Sequence, residues 1–94
     1  MDVKSAVSEA KKWLADVMAE EHIGNIGLEG VEFDERDSVW RITLGFSRPL
    51  NKGMGGAFAA LNGAYDPQRV YRIVSVKEPD GKVLSMKRPS EMEM

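Results

Sequence analysis

An apolar stripe at the start of the chain most limits what it can fold into. Val3, Ala6, Val7, Ala10, Trp13, Leu14, Val17 and Met18 recur at steps of three and four residues, while Lys4, Glu9, Lys11, Lys12, Asp16 and Glu20 fill the remaining positions. That spacing gathers the apolar side chains on one side of an α-helix and leaves the charges on the other. Asp2 or Ser5 can cap the start by accepting a backbone N–H bond, and Gly24 can take the left-handed conformation that ends it. The expectation is a helix from about residue 3 to about residue 22. Its stripe must then be buried against something the rest of the chain supplies.

The rest of the chain reads as strands. From Gly27 to Asp34, Val31 and Phe33 alternate with Glu32 and Asp34, and Leu28 falls out of step, which a bulge at Gly30 would explain. From Ser38 to Phe46 the alternation is clean: Trp40, Ile42, Leu44 and Phe46 point one way, and Val39, Arg41, Thr43 and Gly45 the other. The polar residues Asp34 to Asp37 join these two strands as a hairpin. A third, β-branched strand runs from Arg69 to Lys77, where Val70, Val74 and Val76 compete with Tyr71 and Ile73 for the inward side. Glu78-Pro79-Asp80-Gly81 is a turn, Lys82 to Arg88 returns as the fourth strand, and Pro89 stops it.

The fold class is therefore α+β: one N-terminal helix on a four-stranded antiparallel sheet, in the order α-β-β-β-β. Residues 1–89 make one domain, as expected for a chain of 94 residues, and 90–94 read as a flexible tail. There is no cysteine, so stability rests on packing and not on disulfides or thiolate-bound zinc. The charged, amphipathic start lacks the apolar run of an export signal, and no segment is long and apolar enough to span a bilayer. A cytoplasmic protein with no membrane partner is expected.

The formal net charge of −2 conceals a division along the chain. Residues 1–38 carry four basic and ten acidic side chains, and residues 39–89 carry nine basic and three acidic. Two readings follow: a basic face for an anionic partner, or an acidic strand set lying against a basic one within a single sheet.

Between the second and third strands stands an excursion, Ser47 to Gln68, of 22 residues, where a hairpin needs about 2 to 5. Lys52-Gly-Met-Gly-Gly-Ala57 has the glycines of a phosphate-cradling loop but not its Gly-Lys-Ser/Thr ending. Ala57 to Leu61 can form a short helical turn with Phe58 and Leu61 on one side, capped by Asn62-Gly63. Folded back, that turn would cover a sheet edge. Left open, Met54, Phe58, Leu61 and Tyr65 would form a contact surface for a protein partner or a second copy, and the hinge glycines would permit a swapped or edge-paired dimer.

Catalysis finds little support. His22 is the only histidine and falls in the last turn of the helix, where the carbonyl dipoles favour a cation. Glu20-Glu21-His22 lacks a further His or Cys to complete a catalytic metal site. The acidic pairs Glu29 with Glu32, and Asp34 with Glu35 and Asp37, belong to a strand face and a turn, and the serines lack a nucleophile context. No catalytic residue, metal ligand or cofactor is assigned. A nucleic-acid reading has more substance: Arg69, Arg72, Lys77, Lys82, Lys87 and Arg88 lie on the last two strands with Tyr71 among them, a combination able to stack single-stranded bases.

The segments AVSEAKKWLADV, VEFDERDSVWRITLGF and YRIVSVKEPDGKVLSM, in this order, resemble the PepSY type of small domain, with its Ala-rich first helix and its final hairpin closing in a turn such as KEPDGKVL. A cystatin-like arrangement has the same layers. The PepSY resemblance implies a noncatalytic regulatory or inhibitory module that binds or restrains a partner, in several family contexts a protease or a membrane protein. The excursion has no counterpart in that pattern. On these grounds the expected function is protein binding through residues 47–68, with single-stranded nucleic acid as the alternative.

Overall fold

The structure is a computed structural model and describes residues 1–49 and 65–92. Asp2 caps helix α1, Val3–Val17, by accepting the backbone N–H of Ser5 at 2.8 Å. The helix is shorter than the apolar spacing predicts. After Val17 it gives way to a single 3-10 turn, Ala19–Glu21, and His22 rather than Gly24 takes the left-handed conformation, with φ 56°. The reason lies just beyond: Ile23 and Ile26 both pack against the core, and the chain must leave the helix to bring them there.

Strands β1 (Gly24–Asp34), β2 (Val39–Pro49), β3 (Tyr65–Lys77) and β4 (Lys82–Lys87) form one antiparallel sheet with spatial order equal to sequence order. The α+β architecture is the one expected. In the β1–β2 turn, Asp34 accepts the backbone N–H of Arg36 and of Asp37. In the β3–β4 turn Gly81 has φ 76°, a conformation that favours glycine, and its N–H donates to the Lys77 carbonyl. The Glu78 N–H donates to the Ser38 carbonyl at 2.9 Å and ties the two turns together.

β2 and β3 reach further into the excursion than the sequence pattern indicates, because the ladder continues through Ser47 with Arg69 and ends at Pro49 with Tyr65. Tyr65 thus begins a strand and does not belong to the connection. Met54, Phe58 and Leu61 lie outside the described residues. At the other terminus Pro89–Met92 form one helical turn, α2, where the sequence reading places the beginning of a tail.

The core forms where the helix stripe meets the alternating side chains of β2 and β3. Ala6, Ala10, Leu14, Ile42, Leu44, Phe46, Val74 and Val76 are fully buried, with Trp13, Trp40, Val70 and Met86 packed around them. Cross-strand partners share a face, so Trp40 with Val76, Ile42 with Val74 and Phe46 with Val70 settle the inward side of β3 in favour of its valines. Tyr71 and Ile73 take the opposite, outer face. The small Ala6 and Ala10 let the helix approach the sheet closely over β2 and β3.

Candidate functional site

Helix α1 packs on the face that carries Ile42, Leu44 and Val74, and the opposite face is the outer face of the sheet. Arg69, Tyr71, Lys77, Lys82 and Lys87 lie there by register. Arg72 does not. It is the partner of the buried Leu44, which puts it on the helix face, and it donates to the Tyr71 carbonyl at 2.8 Å. Arg88 follows the end of β4. The six basic residues grouped from the sequence therefore do not share one surface.

Several outer-face cations are neutralised by the acidic strand beside them. Arg41 pairs with Asp34 at 2.9 Å, and Arg69 reaches the Glu29 carboxylate at 3.6 Å and donates to the Asn25 carbonyl at 2.9 Å. Lys77 donates to the Asp37 carbonyl. The charge division along the sequence is, in these pairs, an acidic β1 set against basic residues of β2 and β3.

Glu29 reaches Arg69 because of the bulge expected at Gly30. The β1–β2 register shifts between Leu28 and Gly30, so Leu28 faces Leu44, Gly30 faces Thr43, and Glu29 is the extra residue between them. This shift has a second result. Leu28, Val31 and Phe33, the partners of Leu44, Ile42 and Trp40, all point to the helix side.

There they stay partly exposed. α1 packs over β2, β3 and β4, and a groove of about 450 Å³ opens between the helix and β1, lined by Val3, Lys4, Val7, Ser8, Lys11, Lys12 and Leu28. Val3, Leu28, Val31 and Phe33 are each 39–45% exposed, high for apolar side chains on the inward face of a sheet. Phe33 packs against Trp40 in a tilted arrangement, with ring centroids 4.7 Å apart and planes at 50°. β1 is also an edge strand, since its one neighbour in the sheet is β2. The sequence spacing puts Val3 on the helix's apolar stripe and alternates Val31 and Phe33 with Glu32 and Asp34. The periodicity carries no information on where the helix sits laterally, and that position decides their exposure.

Three carboxylates are held in their charged form by their hydrogen-bond partners. The hydrogen bond from Arg41 and the backbone N–H groups of Asp37 and Arg36 hold the Asp34 carboxyl below its usual range. The Trp40 indole and the Met1 amino group do the same for Glu78, and the Ser5 N–H for Asp2. No group of three or more metal-ligating side chains is found among the described residues, and none of their helices is long and apolar enough to cross a membrane. Comparison with family models, with curated proteins and with solved structures finds no match to this chain.

Proposed function

We propose that this chain is a noncatalytic protein-interaction module of the regulatory or inhibitory kind, acting by holding a protein partner or a second copy of itself. One observation carries the reading: Val3, Leu28, Val31 and Phe33 are exposed beside the edge strand β1, whose outer side pairs with no strand among the described residues. Contiguous exposed apolar surface marks contact sites, and an unpaired edge offers backbone donors and acceptors to a further chain. The excursion residues Met54, Phe58 and Leu61 remain part of the proposed binding element, for their length and composition. A cytoplasmic setting belongs to the same proposal, supported by the charged, amphipathic first segment.

The test compares capture from native extract by the wild type, Val31→Asp and Phe58→Asp. A partner held by the wild type and lost with either variant supports the reading. Identical capture by all three, with unchanged oligomeric state, removes it.

Single-stranded nucleic acid is the second reading, favoured by Tyr71, 41% exposed on the same face as Lys77, Lys82 and Lys87. Binding of a labelled oligoribonucleotide at low salt that weakens steeply as salt rises would favour it over the first. No shift at low salt would count against it.

A further inference from the structure

The outer face of the sheet holds a depression of about 500 Å³ beside the two tight turns, lined by Arg41, Ser75, Lys77, Ser85 and Lys87 among others. Residues 50–64 do not reach across it. These 15 residues extend about 3.5 Å each at full stretch and must go out and back, so they reach about 26 Å from Pro49 and Tyr65. At about 3.3 Å per residue of strand, Arg41 stands about 26 Å from Pro49, at that limit, and Val39, the cross-strand partner of Lys77, about 33 Å, beyond it.

Its polar groups are left unsatisfied in two ways. Ser75 is only 8% exposed, yet its hydroxyl has no hydrogen-bond partner among the described residues, and neither has that of Ser85, its partner across the strands. A buried polar group without a partner costs free energy. Lys77 also stands opposite Lys82, and like charges facing each other across two strands destabilise a sheet. Neither lysine makes an ion pair among the described residues, nor does Lys87, although Lys77 donates to the Asp37 carbonyl. Arg41 pairs with Asp34 and keeps further N–H donors. The nearest acids, Glu32, Asp34 and Asp37, belong to β1 and its turn, and Asp37 is the one acid in the lining. Hydroxyl and cationic donors therefore converge on the β3–β4 side without a matching anion.

From this we infer that the depression binds a phosphate monoester, carried by a small molecule or by a phosphorylated side chain, with Ser75 and Ser85 donating to its oxygens and Arg41, Lys77 and Lys87 balancing its charge. A monoester offers three acceptor oxygens and close to two negative charges at neutral pH. The phosphodiester of a nucleic-acid backbone carries one charge and fewer free oxygens, so this donor set fits it less well. Leu84, the extra residue of the β3–β4 bulge and 50% exposed, offers apolar contact to the carbon skeleton beyond the ester. The site lies on the opposite side of the sheet from Val31 and Phe33, and the inference does not depend on the interaction-module reading.

The test follows the backbone amide resonances of the whole chain during titration with N-acetylphosphoserine amide, N-acetylserine amide, glycerol 3-phosphate, sodium sulfate and an oligoribonucleotide without terminal phosphate. Saturable shifts at Ser75, Lys77, Ser85 and Lys87 with either monoester, and none with N-acetylserine amide, are the expected result. Tighter binding of glycerol 3-phosphate assigns the site to a small molecule, and tighter binding of N-acetylphosphoserine amide to a phosphorylated side chain. Lys77→Gln with Lys87→Gln lies on the surface and keeps the fold. It weakens the monoester about threefold to tenfold, the scale of one or two exposed ion pairs. Ser75→Ala weakens it further. Shifts indifferent to both variants, equal shifts with sulfate at matched ionic strength, or no saturable shift with either monoester overturn the inference. So does an oligoribonucleotide that saturates the same amides more tightly than both monoesters, because a diester backbone would then be the occupant.

Discussion

Trp40 donates its indole N–H to Glu78 Oε2 at 2.6 Å, joining the start of β2 to the β3–β4 turn. The other carboxylate oxygen of Glu78 accepts from the Met1 amino group at 3.2 Å, so one acid holds the sheet and the beginning of the helix segment together. Both contacts favour the ionised carboxylate, which depresses its pKa below the ordinary glutamate value of 4.5. A depressed folded-state value means stability that is present above the unfolded pKa and lost as pH falls through the folded one.

Glu78→Gln should therefore lower the urea midpoint at neutral pH, and the gap to wild type should close below the ordinary glutamate range, where both side chains are neutral. Urea titrations at several pH values measure this. A gap that stays constant down to strongly acid pH would show that the charge of Glu78 is not what the two contacts use.

Gly45 lies beneath three side chains at once. A Cβ there would stand 3.0 Å from Arg69 Nη2, Glu29 Oε2 and Tyr71 Cε1. The two ion-pair ends can yield, whereas the Tyr71 ring is less able to. We expect Gly45→Ala to be tolerated with a small loss, and Gly45→Val to cost about 1–3 kcal/mol by overpacking and to separate Arg69 from Glu29. Chemical denaturation reads the first effect. The chemical shifts of the Tyr71 ring read the second.

Helix α1 concentrates its contribution in few residues. Leu14 is fully buried against β2 and β3, while Val17 is 50% exposed. Leu14→Ala should cost about 2–5 kcal/mol, and Val17→Ala a small fraction of that. Similar losses at both positions would mean that the stripe is buried evenly, and the groove over β1 would then be closed.

That contrast shows what the sequence made legible. Periodicity found the helix and all four strands, the inward row Trp40, Ile42, Leu44 and Phe46, the Gly30 bulge and the Gly81 turn, because each depends on local spacing or on one residue's conformational freedom. It missed the lateral placement of α1, which is set by close approach at Ala6 and Ala10 and has no periodic signature. The candidate groove was illegible for the same reason: Val31 and Phe33 have the pattern of buried residues, and only their exposure in the folded chain distinguishes them. The end of the helix was misplaced because Gly24 permits a left-handed stop, whereas the packing of Ile23 requires the turn two residues earlier, at His22.

Among the described residues, the two edge strands of the sheet carry opposite charge. β1 bears Glu29, Glu32 and Asp34, and β4 bears Lys82 and Lys87. Pairing β1 with the β1 of another copy would set carboxylates against carboxylates, which like charges on facing strands disfavour. Pairing β1 with a second copy's β4 would set them against lysines, a contact that the bulges in both strands weaken. Self-association through the sheet edges should therefore be weak, confined to high concentration and low salt, and screened away by about 0.3 M salt. Lys82→Glu with Lys87→Glu should abolish it. Sedimentation velocity across concentration and salt decides the point: association that persists in high salt and in the double variant would instead place the self-contact on the apolar groove or on the excursion.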